Sequence, residues 1–225
     1  MADRTTVYLE AGKKRVFASA LEWPGWSRSG RDEEQALSAL AAYAPRYAVV
    51  AAAAGVAFPQ GSAAAFDVQE RLAGNATTDF GAPALPAASD ASPLSAGEAE
   101  RIASLVAGAW QVLDDVVARA PAELAKGPRG GGRDRDRVVE HVLAAEEGYG
   151  RKIGVRLRGT AAGGDAGAAA RRAAILDVLR RGEEVTMPRG KPWPLRYAAR
   201  RIAWHVTDHA WEIEDRGGLT PARAW

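Results

Sequence analysis

The apolar residues of this chain change their period once, and any fold must accommodate both halves of the change. Up to about residue 81 they come in short, β-like runs; from Ser95 onward they form long stripes at helical spacing. Between the two, Gly81-Ala82-Pro83-Ala84-Leu85-Pro86-Ala87-Ala88-Ser89-Asp90-Ala91-Ser92-Pro93 sustains no period and is rich in turn formers, the pattern of a linker. The expected organisation is an α+β module over 1–82, a linker over 83–94 and an all-α region over 95–225.

In the first part, Thr6–Glu10 and Arg15–Ala20 read as strands joined by a turn at Gly12-Lys13-Lys14. A Trp23-Pro24-Gly25-Trp26 turn follows, then a helix from about Glu34 to Ala54 with a break or kink at Pro45. Val56–Phe58 and Phe66–Arg71 are candidate later strands. In the second part, Ser95-Ala96-Gly97-Glu98 is a capping box. It opens a helix whose stripe Ile102, Leu105, Val106, Ala109, Leu113, Val116 runs to Pro121. Further helices are expected over about 134–156, 168–181 and 193–215, the last with Pro192 and Pro194 at its start. Four helices with short or medium connections predict an up-down four-helix bundle.

Composition narrows the chemistry. The chain has no cysteine, which removes disulfides, thiolate nucleophiles and cysteine-held metal. A formal net charge of +2 gives no electrostatic case for nucleic acid or anionic lipid. The N-terminus has no long apolar stretch and the run Tyr47–Ala54 is too short to span a bilayer, so a cytoplasmic protein without a membrane partner is expected.

The chemistry that remains is carried by three histidines. His205 and His209 lie four apart, on one face of the last helix, where two imidazoles can meet one ion. Scattering three histidines at random gives some pair at this spacing roughly once in forty trials, so the pair is suggestive and not decisive. His141 sits mid-helix beside Val138, Ala145 and Gly148, on a small-residue stripe that a bundle can turn toward the pair. Three neutral imidazoles with one open position is a known catalytic zinc arrangement. Spacing alone leaves His141 in no fixed relation to the pair.

Glu212 follows His209 by three and shares its face; it suits orienting a water, acid–base transfer or holding a ligand, or else simply pairs with Arg216. Arg201, one turn before His205, either meets an anionic substrate group or is a solvated residue beside Arg200. Trp204 and Trp211 are expected to pack in the core. Two other metal chemistries fail on their residues. Di-iron bundles need a glutamate three before each of two histidines, where Val138, Ile202 and Val206 stand. The zincin motif needs a glutamate where Val206 stands. Gly127–Gly132 lacks the strand and the Gly-Lys-Ser/Thr of a phosphate loop, and no Gly-x-Ser-x-Gly elbow occurs.

His205-Val206-Thr207-Asp208-His209-Ala210-Trp211-Glu212-Ile213 resembles the closing-helix motif of the DinB-like four-helix bundle superfamily, over about residues 95–216. In that superfamily a first ligand lies midway along the second helix, where His141 falls. The resemblance implies a divalent-metal site, zinc or nickel, and a homodimer. For some relatives it further implies a transferase or isomerase that joins a mycothiol-like thiol to a small electrophile. The stretch Arg15–Ala20, Leu21-Glu22-Trp23-Pro24-Gly25-Trp26 and Asp32-Glu33-Glu34-Gln35-Ala36-Leu37 resembles the small HicB-like module. That family implies an antitoxin or partner-binding half; with no DNA-binding helix pair evident, an interaction, dimerisation or active-site-covering role is expected here. The alternatives to an enzyme are a non-catalytic stress or interaction protein with a structural metal, and an antitoxin-type partner protein.

Overall fold

Alternation places two different sets of side chains on the faces of one small sheet, and both faces are covered. The structure, a computed structural model, describes residues 4–59, 61–63, 65–127, 131–157, 164–183, 185–187 and 190–221. Strands β1 (Thr5–Ala11), β2 (Val16–Ala20), β3 (Ser27–Gly30) and β4 (Phe66–Ala73) form a sheet in the order β3-β2-β1-β4. β1 pairs antiparallel with β2 and parallel with β4, and β2 antiparallel with β3. Against β4 the register slips by one at Val7/Tyr8, leaving Gln69 as the extra residue of a bulge.

Val7, Leu9 and Ala18 join the main core with helices α1 (Glu33–Ala42) and α2 (Ala44–Ala53). Tyr8, Glu10, Phe17 and Ser19 occupy the other face, as their cross-strand pairing requires. That second cover is why β1 reads as buried almost throughout. Glu10 is fully buried there, and its carboxylate accepts from Thr78 Oγ1 and from the backbone N–H groups of Ala84 and Leu85.

The two expected strands and the break at Pro45 are present; α1 and α2 meet at 51°. Asp32 caps α1 by accepting from Gln35 N at 2.8 Å. Val56–Phe58 is not a strand. Phe58 instead packs edge-on to Trp23, Trp26 and Tyr47, so its hydrophobicity fills an aromatic cluster rather than a ladder. β3 is polar in sequence and held by pairing to β2, and a short helix α3 (Ala76–Phe80) is capped by Asn75. Among the described residues no single helix is long and apolar enough to cross a membrane.

The chain beyond is mostly helical: α4 (Ala96–Arg119), α5 (Arg135–Lys152), α6 (Gly164–Arg181) and α7 (Leu195–Arg216). The Ser95/Glu98 capping box is formed at the start of α4. α4 packs on α6 and α7, α5 packs on the same two helices, and α2 packs on α4. At that last crossing Gly108 lets the backbones close up: a Cβ there would lie 2.6 Å from the Val50 carbonyl oxygen. The segment expected as a linker carries a 3-10 turn, Ala88–Ala91, in which buried Asp90 pairs with buried Arg200 of α7. Residues 128–130 of the glycine-rich loop, and 158–163 before α6, lie outside the described residues.

α7 is the centre of this arrangement, with sixteen buried residues. Trp204 stands edge-on to Phe17 of the sheet at 5.9 Å. The Trp23–Trp26 turn touches the helix where Gly25, at φ 100°, leaves only 3.2 Å between a would-be Cβ and that of Ala203. A side chain there is opposed both by the positive φ and by the approach. Thr207 Oγ1 donates to the Gly25 carbonyl at 3.1 Å, and Asp208 pairs with Arg28 of β3 at 2.7 Å. The sheet thus fixes one side of α7, and α5 lies against another.

Candidate metal centre

Helical spacing sets His205 and His209 one turn apart on α7, and the packing of α5 on α7 brings His141 to them. Ring centroids are 5.0 Å apart for His141–His205, 5.0 Å for His141–His209 and 4.6 Å for His205–His209. One ring nitrogen from each lies within 4.8 Å of the others. His141 Nε2 and His205 Nε2 are 3.2 Å apart. Two nitrogens bound to one tetrahedral zinc at 2.0–2.1 Å would stand about 3.4 Å apart, so this pair already has the spacing of two ligands on one ion.

The protonation states suit ligation. Burial holds the His205 imidazole down to about 2, helped by His209 and by the positive charges of Arg201 and Arg133. Burial likewise lowers His141, with His209 and Arg133 adding to it and Glu212 opposing. Both rings are neutral near pH 7 and offer lone pairs. His209 Nδ1–H donates to Glu212 Oε2 at 2.8 Å, which fixes the orientation of its ring. Glu212 is kept ionised chiefly by that bond, against its burial, and by Arg216, whose Nη1 donates to its other oxygen.

Arg216 is held in turn by the carbonyls of Ala125 and Arg133 at 2.9 and 2.8 Å. The relay therefore runs from the loop before α5, through Arg216 and Glu212, to His209. Glu212 makes both contacts weighed for it in the sequence: it holds a histidine and it pairs with Arg216. The donor set fits a divalent ion, with three imidazoles and one of them oriented by a carboxylate.

Arg201 is neither at an open mouth nor solvated. It is 9% exposed, with its guanidinium 5.1 Å from the Tyr149 ring and 4.6 Å from the Trp204 ring. Trp204 and Trp211 are buried, as core residues are expected to be. Tyr149 was not singled out in the sequence, yet its ring stands edge-on to His205 at 5.6 Å. It follows His141 by eight, close to two turns, so the shared face was the available signal. No family model matches the chain, and comparison with curated proteins and with solved structures finds no significant match to either.

Proposed function

We propose that this chain binds one divalent metal ion through His141, His205 and His209 and is a metal-dependent transferase. In this reading the three imidazoles would hold an ion able to activate a low-molecular-weight thiol, or water, toward a small electrophile. The observation that carries it is the convergence of three ring nitrogens from two helices, with His209 aligned by Glu212. The metal supplies a Lewis acid that makes a bound thiol or water nucleophilic near neutral pH. Zinc suits three imidazoles best, and nickel is the second choice.

The chain's own contribution is positioning. Glu212 holds the His209 ring, Arg216 holds Glu212, and Tyr149 walls the His205 side. Three protein ligands leave a coordination position for the thiol. Helices α4 to α7 are read as an up-down DinB-like bundle, with the first 82 residues as a HicB-like module that covers α7, and the working form as a homodimer. A structural metal in a non-catalytic protein is the second reading. It is favoured by both oxygens of Glu212 being engaged, one by His209 and one by Arg216, which gives the carboxylate a holding role.

Elemental analysis of the purified chain, with His209→Ala beside it, tests the site. One equivalent of metal in the wild type and its loss in the variant are expected; no metal, with zinc leaving the melting temperature of both unchanged, would refute the site. Cobalt substitution separates the two readings. An open position predicts that 2-mercaptoethanol adds a sulfur-to-cobalt charge-transfer band, whereas an unchanged spectrum leaves the structural reading.

A further inference from the structure

Between α7 and the sheet is a second cluster of polar atoms, in which several buried donors are unpaired. Arg200, Arg201, Trp204 and Tyr197 of α7 line a small cavity with Ser19 and Ser27 of the sheet. Three buried donors of this group have no hydrogen-bond partner among the described residues: Arg201 Nη1, Trp204 Nε1 and Arg200 Nε. Arg201 and Trp204 are 9% and 5% exposed. The two serines are occupied with each other, Oγ to Oγ, at 2.6 Å.

The charges are unbalanced as well. Arg200 pairs with Asp90, but no carboxylate reaches Arg201 among the described residues; its contacts are the faces of Tyr149 and Trp204. A guanidinium does not discharge by losing its proton. Left buried without a counter-charge it costs several kcal/mol, and ring faces offset only part of that.

We propose that this cavity is a buried halide site, taking chloride between Arg201 and Trp204. Size and chemistry both select the occupant. The cavity has about 10 Å³ for the centre of a water-sized guest, which one water or one monatomic ion fills and a carboxylate or phosphate does not. A water could give its hydrogens to the hydroxyls of Tyr8, Ser19, Ser27 and Tyr197, but it brings no charge to set against Arg201. A halide only accepts, and it supplies the missing negative charge. The site adjoins the three imidazoles, with the Trp204 ring 6.1 Å from that of His205, but none of its donors is a histidine and its existence does not depend on a metal there.

The test is thermal unfolding of the full chain at constant ionic strength, with sodium bromide replacing sodium gluconate from 0 to roughly 100 mM. A rise of about 3 °C is expected, by mass action on the folded state. Arg201→Met should abolish the dependence. Trp204→Phe, which keeps the charge and removes one donor, should weaken it, and it serves as the readout if Arg201→Met does not fold. His209→Ala and chelator-treated wild type should both retain it, which separates this site from a halide bound to metal. In a bromide-soaked crystal, an anomalous peak between Arg201 and Trp204 is expected. A flat melting temperature in wild type together with no such peak would leave the cavity to water and overturn the proposal.

Discussion

His209 Nδ1 donates to Glu212 Oε2 at 2.8 Å, and the two residues lie one turn apart on the same helix. A carboxylate only accepts, so the bond decides which nitrogen of His209 carries the proton. Removing the carboxylate frees the ring to rotate and to exchange tautomers. Glu212→Ala is expected to weaken zinc binding roughly 10–100-fold, read by competition with a chromophoric chelator. Arg216 keeps its two carbonyl partners in that variant, so the loop before α5 stays anchored. Unchanged affinity would mean that Glu212 serves only Arg216.

The buried histidine makes the metal-free protein acid-sensitive. His205 is held at about 2 in the fold by its burial first, while an unfolded histidine titrates near about 6.5. Below about 6.5 the unfolded chain therefore binds a proton that the native state refuses. Stability rises with pH across this range and is lost as pH falls, by up to about 1.4 kcal/mol per pH unit. His141, also lowered, acts with the same sign. Glu98, held at about 2 chiefly by its bonds to Ser95, contributes only below its ordinary value of 4.5. Urea unfolding of chelator-treated protein between pH 5 and pH 6.5 reads the histidines against Glu146, whose carboxyl is raised by burial and acts with the opposite sign. Comparison with His205→Gln, which should flatten the slope there, picks out the histidine part.

Local signals were legible where one residue's chemistry suffices. The Ser95/Glu98 box, the β1 and β2 runs and the break at Pro45 all lie in the sequence because capping, alternation and proline act over a few residues. His205 and His209 belong to the same class, since helical spacing alone makes them neighbours. His141 does not. Its place depends on how α5 seats on α7, a tertiary relation that no local period encodes. The burial of Arg201 was invisible for the same reason: adjacent arginines read as a solvated face, and only the sheet on one side and Tyr149 on the other enclose them. β3 was missed because Ser27-Arg28-Ser29-Gly30 carries no apolar alternation. Its order comes from its neighbour, β2, and from the pairing of Arg28 with Asp208.

The segment between the sheet and α4 reads as featureless in sequence but carries a buried ion pair. Asp90 is 3% exposed and Arg200 6%, and Asp90 Oδ2 also accepts from Ala87 N at 2.7 Å. Asp90→Ala leaves a buried guanidinium without its partner, a loss of about 3–5 kcal/mol. The melting temperature should fall by roughly 10 °C. A drop under about 2 °C would show that the pair is solvated. The double variant Asp90→Leu with Arg200→Met should recover most of the loss, because apolar replacement of both partners removes the stranded charge.

Two glycines in long helices allow the seating of α2 on α4 to be measured. At Gly108 of α4 an added Cβ would meet the Val50 oxygen at 2.6 Å and the Ala54 nitrogen at 2.9 Å, both backbone atoms that cannot swing aside. At Gly148 of α5 an added Cβ meets nothing within 4 Å. Alanine gains about 1 kcal/mol over glycine in a helix interior when nothing opposes it. Gly148→Ala should therefore stabilise by up to about 1 kcal/mol. Gly108→Ala has the same gain in propensity but must separate two packed backbones, an overpacking cost of about 1–3 kcal/mol. The net effect is destabilising, and the two variants should move the melting temperature in opposite directions. Zinc affinity should stay as in the wild type for Gly108→Ala, since α5 and α7 carry the histidines. Equal stabilisation by both substitutions would mean that α2 does not rest on Gly108.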